Sequence, residues 1–127
     1  MKPYLAKTKD IGTRDFGKGL KLKILIDCED GAKHATFGTV AIEPEMATPM
    51  HVREVEEYIF MISGEGQVIT EDGETYTLEQ GDCILIPPGI NHCHANKSKF
   101  PLLQLYAFAP MGPEKTLRNL PLEKKEL

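Results

Sequence analysis

Three of the four histidines in this 127-residue sequence stand at short, even spacings beside other charged groups. His51-Val-Arg53 and His92-Cys-His94 each set two such side chains two residues apart, which in an extended strand places them on one face. An imidazole gains or loses its proton near neutral pH, so His94 is a candidate general acid or base. Arg53 stays charged and could grip a carboxylate or phosphate through two parallel hydrogen bonds. It could instead pair with Glu54 or Glu56 close by in the chain. The fourth histidine, His34, sits in a turn and needs no functional account. No serine or cysteine lies in a recognisable nucleophile elbow, so acyl transfer of that kind has no support.

The elements that must position these residues are strands. Leu20, Leu22, Ile24 and Ile26 alternate with Lys21 and Lys23, a period of two that predicts a strand with one buried face. After the Asp30-Gly31 turn, residues 35–42 form a second strand, stopped by Glu43-Pro44. Residues 57–63 make a nearly continuous apolar strand closed by Gly64-Glu65-Gly66, and residues 67–70 answer it across that turn. Asp72-Gly73 suits a tight hairpin, followed by short strands over Thr75–Leu78, Cys83–Ile86, residues 93–95 and Leu102–Ala109. Roughly eight short strands at even spacing suggest a closed or double-sheet barrel.

A chain of 127 residues holds one domain with a proper core. It is 41% hydrophobic and 27% charged, with 15 basic and 19 acidic residues and a net charge of −4. That balance argues against nucleic acid or an anionic membrane as a partner. Cys28, Cys83 and Cys93 form no C-x-x-C pair and leave an odd count, so no disulfide framework is expected. The first residues lack the apolar run of a signal peptide, and no stretch approaches the roughly 18 apolar residues of a membrane span. A cytoplasmic location is the expectation.

The stretch Gly81-Asp-Cys-Ile-Leu-Ile-Pro87-Pro-Gly89-Ile-Asn-His92-Cys-His-Ala-Asn96 resembles the second cupin motif, G-x5-P-x-G-x2-H-x3-N, at every fixed position. The stretch from His51 to Gly64 resembles the first, G-x5-H-x-H-x3,4-E-x6-G, in its His51, Glu57 and final Gly64. Glu45 replaces the opening glycine, and Arg53 the second histidine. The two motifs cover about a third of the chain and stand in the family's order.

This resemblance to small single-domain cupins of the conserved-barrel type implies an all-β, double-stranded β-helix or jelly-roll barrel. On that frame residues 20–110 are the barrel, 1–19 an N-terminal arm able to pair with a dimer partner, and 111–127 a polar tail, either a loose arm or a short helix packed on a partner. The resemblance also brings His51, Glu57 and His92 together as ligands of one divalent metal ion, which could be iron, manganese, zinc, nickel or cobalt. Glu56 could compete with Glu57, but the spacing to Gly64 favours Glu57.

Arg53 cannot supply the family's missing ligand. It could hold a substrate anion beside the metal, pair with a carboxylate at the rim, or mark a barrel that has lost its metal. His94 could be a replacement ligand, an acid/base or a satisfied core histidine. Gln104 and Tyr106 are candidate polar groups of the pocket, Ile59, Met61, Ile84 and Ile86 candidate lining or core. Gly64, Gly81, Pro87 and Gly89 serve the backbone, and Asn96 could orient a loop. The expected function is metal-dependent chemistry on a small anionic, oxygen-rich molecule such as a sugar acid or keto acid. The alternative is a non-catalytic small-molecule binder. A homodimer is expected in either case, because open sheet edges invite pairing.

Overall fold

The computed structural model describes residues 2–123, so Met1 and the last four residues of the expected tail lie outside the described residues. Two antiparallel sheets face each other. The larger runs β1 (Arg14–Gly17), β2 (Leu20–Ile26), β3 (Thr36–Ile42), β9 (Leu102–Ala109), β4 (Glu56–Ser63) and β7 (Cys83–Ile86), side by side in that order. The smaller runs β6 (Thr75–Leu78), β5 (Gly66–Thr70) and β8 (His92–Ala95). The segment before β4 lies along the free edge of β8, bridging Ala47 to Ala95 and His51 to His92. The all-β barrel expected from the motifs is the fold observed.

Alternation explains the core. Leu20, Leu22 and Ile24 of β2 are buried, with Lys21 exposed and Lys23 half-buried between them. Ile42, Ile59, Met61, Leu102 and Phe108 meet them from the neighbouring strands. Each such side chain contributes about 1.5–3 kcal/mol when fully removed from water. Glycine is required at two positions. A Cβ on Gly64 (φ +85°) would stand 2.8 Å from the Pro101 carbonyl, and one on Gly38 would run into the Tyr106 ring.

Near each end the chain adds to its own barrel. Residues 14–17 form β1 beside β2 of the same chain, with Arg14 opposite Leu22. The tail carries a one-turn helix, α1 (Glu114–Leu117), whose Glu114 and Leu117 are buried. Arg118 ties it down through Asp27 and Glu29, and Arg14 donates to the carbonyls of Arg118 and Leu120. Among the described residues no helix is long and apolar enough to cross a membrane. The three cysteines are free thiols.

Candidate metal centre

His51 and His92 face each other across a hydrogen-bonded bridge, His51 N–H donating to the His92 carbonyl (2.8 Å) and His92 N–H to that of His51 (2.9 Å). Their rings lie 4.4 Å apart between centroids. His94 follows on the same face of β8, its backbone N–H held by the Thr48 hydroxyl at 2.9 Å. Glu57 crosses from β4 of the opposite sheet. It is 3% exposed, while His92 is 0% and His94 7% exposed. One donor atom from each of His51, Glu57, His92 and His94 falls within 4.8 Å of the others.

The protons on these rings decide what the cluster can hold. His51 Nδ1 lies 2.9 Å from the Pro49 carbonyl and His92 Nδ1 2.8 Å from the Ile90 carbonyl. A carbonyl only accepts, so both Nδ1 atoms carry hydrogen, which turns each Nε2 into the ring's ligating nitrogen. His92 Nε2 nonetheless sits 3.2 Å from Glu57 Oε2, and His94 Nε2 3.0 Å from the same oxygen. An Nε2 lone pair opposite a carboxylate oxygen is repulsive unless a cation, proton or metal, lies between them. Among the described residues His51 Nε2 and His94 Nδ1 are buried with no partner. Three imidazoles and a carboxylate converging on one point, with ring nitrogens left over, fit a divalent metal ion.

The charges follow. Burial raises the Glu57 carboxyl, but the hydrogen bonds of His92 and His94 outweigh it and hold it far below the usual range. His92 also loses to burial, yet its bond to Glu57 leaves it above its ordinary value. His51 has no such partner and is pushed down to about 4, by burial first and then by the neighbouring His94, His92 and Arg53. His51 is therefore neutral and ready to ligate at pH 7.

A cavity of about 240 Å³ opens beside the cluster, reached by His51, Arg53, Glu57 and His94. Arg53 pairs with neither Glu54 nor Glu56, so the rim ion pair is not formed. Among the described residues it has no acidic partner, its Nε is buried without an acceptor, and its guanidinium lies 5.5 Å from the Phe108 ring centroid. Gln104 and Tyr106 both line this cavity. Burial first, then Glu114 and Asp27, push the Tyr106 phenol well above its usual value, so it stays neutral and donates to the Lys23 carbonyl at 3.3 Å.

Most residues flagged in the sequence meet here. His51, Glu57 and His92 come together as the motifs imply, and His94 joins them as a fourth donor. Glu56 is not in the cluster; its carboxylate accepts from Tyr58. Of the expected lining, Ile59 faces this cavity, Met61 is core, and Ile84 and Ile86 line a separate groove. Asn96 orients its loop, donating to the Ile42 and Phe100 carbonyls and accepting from Ser98. What the sequence reading missed is the cavity's other wall: Leu20, Leu22, Val40 and Leu117. The alternation of β2 marked Leu20 and Leu22 as buried, but nothing in it showed that they face empty space.

Comparison with known proteins agrees with the barrel fold. The family model described as a cupin domain matches residues 38–108, more than half of the chain. A segment of 66 residues, 52% of the chain, is 32% identical to gentisate 1,2-dioxygenase 1 of Aquipseudomonas alcaligenes, but spans only 19% of that protein. Among solved structures, KdgF from Halomonas superposes with a TM-score of 0.77 at 17% identity, over 90% of this chain and 99% of that one. The polyketide cyclase RemF from Streptomyces resistomycificus gives 0.76 at 22% identity, over 100% and 87%. An RmlC-like protein from Shewanella frigidimarina gives 0.75 at 18%, over 90% and 96%.

Proposed function

The chain belongs to the cupin superfamily, and on that footing we propose that it is a metal-dependent enzyme, with one divalent ion on His51, Glu57, His92 and His94 and a small acid held beside it by Arg53. The observation that carries this reading is the set of ring nitrogens left without hydrogen-bond partners around a single buried carboxylate. The similar proteins differ in their named chemistries, so the fold does not select the reaction.

Bound there, a divalent ion would supply Lewis acidity to a carbonyl or carboxylate oxygen, or redox chemistry if it is iron. The chain's own groups do the rest. His51 and His92 keep their Nε2 atoms turned inward through the Pro49 and Ile90 carbonyls. Glu57 offsets the positive charge of the site. Arg53, which forms no ion pair among the described residues, holds the anionic end of the substrate, and the apolar wall excludes water from it. His94 is assigned to the donor set rather than to free acid/base work, because its Nε2 is already committed to Glu57. The expected homodimer and cytoplasmic location belong to the same proposal. The six-stranded sheet ends on β1 and β7, and open edges support pairing.

The test is titration of chelator-stripped protein with cobalt(II), followed by pyruvate. One equivalent of cobalt per chain is expected, with a visible spectrum that pyruvate perturbs. The Arg53→Gln variant should bind cobalt equally and lose the response to pyruvate. A spectrum indifferent to pyruvate in the wild-type protein would contradict the anion-holding role. Prolonged incubation of metal-loaded protein with acids it binds, all recovered unchanged, would favour a binder over an enzyme.

A further inference from the structure

We propose that the acid taken by this centre has a compact hydrocarbon body about the size of one six-membered ring, and so is a monocyclic aryl carboxylate rather than a sugar acid. The inference rests on the reading of Arg53 as the anion holder. Three observations lead to it.

The first is the composition of the walls. Away from the histidines, the cavity is bounded by Leu20 and Leu22 of β2, Val40 of β3, Ile59 of β4, Phe108 of β9 and Leu117 of α1. Several of the polar groups on the lining are already engaged: Lys21 pairs with Glu123, the Thr48 hydroxyl accepts from the His94 N–H, and the Tyr106 hydroxyl donates to the Lys23 carbonyl. Most hydroxyls of a sugar acid would therefore meet carbon and give up hydrogen bonds to water. A ring gains from the same surfaces.

The second is size. A dry apolar cavity of about 150 Å³ accommodates one benzene. This cavity measures about 240 Å³, which leaves space for a carboxylate and a small substituent. It is below the roughly 300–1,000 Å³ typical of sites for larger ligands.

The third is the placing of polar groups. Arg53 and the donor cluster border the cavity where Glu57 enters, in register with Thr36 and Phe108. In the register of the six-stranded sheet Gln104 lies between Val40 and Met61, several residues along β9 from Phe108. Gln104 is 4% exposed and lines the cavity among apolar neighbours, where a side-chain amide suits one ring hydroxyl. A charged group at one place, one amide at another and hydrocarbon between them describe a hydroxylated aryl acid.

The experiment is calorimetric titration of the manganese-loaded protein, with metal content measured in every sample, using benzoate, 4-hydroxybenzoate, benzamide and gluconate. Benzoate is expected to bind at least about tenfold tighter than gluconate, because the ring is buried, and at least about tenfold tighter than neutral benzamide, because Arg53 pairs with its charge. Arg53→Gln should remove the preference for benzoate over benzamide with manganese content unchanged. Gln104→Leu should remove any advantage of 4-hydroxybenzoate over benzoate. Gluconate binding as tightly as benzoate, or no aryl acid binding to fully loaded protein, would overturn the inference and leave the metal centre standing. Aryl-acid binding by a protein that takes up no metal would support the ligand class and overturn the metal centre instead.

Discussion

Asp27 and Glu57 are both carboxylates shut away from solvent, at 0% and 3% exposure, but their partners differ. Asp27 accepts from the Glu29 backbone N–H at 3.0 Å and from Arg118 at 2.6 Å, while Arg118 also reaches Glu29 at 2.6 Å. Every charge there finds its opposite within the chain, and the result is a clamp that holds α1 on the barrel. Glu57 meets two imidazoles through one oxygen, a third ring nearby has a bare nitrogen, and Arg53 beside them is unpaired among the described residues. A buried polar cluster that closes on itself is structural; one with unused donors and acceptors facing a cavity is prepared for something that comes from outside.

Four perturbations test that contrast. Arg118→Met, which leaves Asp27 buried and unpaired, should have the largest effect, a loss of about 3 kcal/mol. Urea unfolding should show the same loss with and without metal; a loss that vanished on metal addition would tie the clamp to the centre and break the comparison. Next, metal at about a hundred times its dissociation constant should stabilise the wild-type protein by about 2.7 kcal/mol. Glu57→Gln should lose most of that gain, while Arg118→Met keeps it.

A smaller effect is expected from pH in the metal-free protein. His51 is held near 4 when folded, against about 6.5 when unfolded. The unfolded chain thus binds the extra proton first, and stability falls as pH drops from about 6.5 towards 4. His92, raised when folded, works in the opposite sense, contributing stability below its unfolded value that is lost as pH rises through its folded value. Glu57, depressed when folded, contributes stability above its unfolded value that is lost only in stronger acid. Chemical unfolding across this range should show stability falling on both sides of near-neutral pH, and His51→Gln should flatten the stretch between about 6.5 and 4. A profile unchanged by that substitution would count against a neutral His51. The smallest effect is reserved for Glu45, a non-glycine residue at φ +65°. Glu45→Gly should stabilise by at most about 1 kcal/mol, since relief of the left-handed conformation is partly offset by a freer unfolded chain. Metal content should not change; a lowered content would extend the centre's supporting shell to this turn.

Much of this is legible in the sequence. The alternation from Leu20 to Ile26 and the glycine-punctuated run from Gly64 to Gly89 mark strands whose faces follow from period two alone. The same rule put His94 on the face of His92. It could not say what stands opposite, so the ligand role of His94 stayed open until Glu57 was seen to reach both rings. The sequence marks the run before Leu20 as able to pair but not where, because Arg14–Gly17 has no apolar alternation and pairs with β2 and, through Arg14, with Leu122. In the sequence a short tail helix stands only as one alternative to a loose arm, because four residues carry no period and the Arg118–Asp27 contact joins residues far apart in the chain. Motif spacing locates donors; long-range contacts decide which of them are left unpaired.

The central claim is that His51, Glu57, His92 and His94 hold one metal ion, and elemental analysis of untagged protein beside its His92→Ala variant tests it most directly. Near-stoichiometric metal in the wild-type protein that disappears from the folded variant is the predicted result. No metal in either, after exposure of stripped protein to iron, manganese, zinc, nickel and cobalt, would contradict it and leave Arg53 as the anion-binding residue of a metal-free barrel.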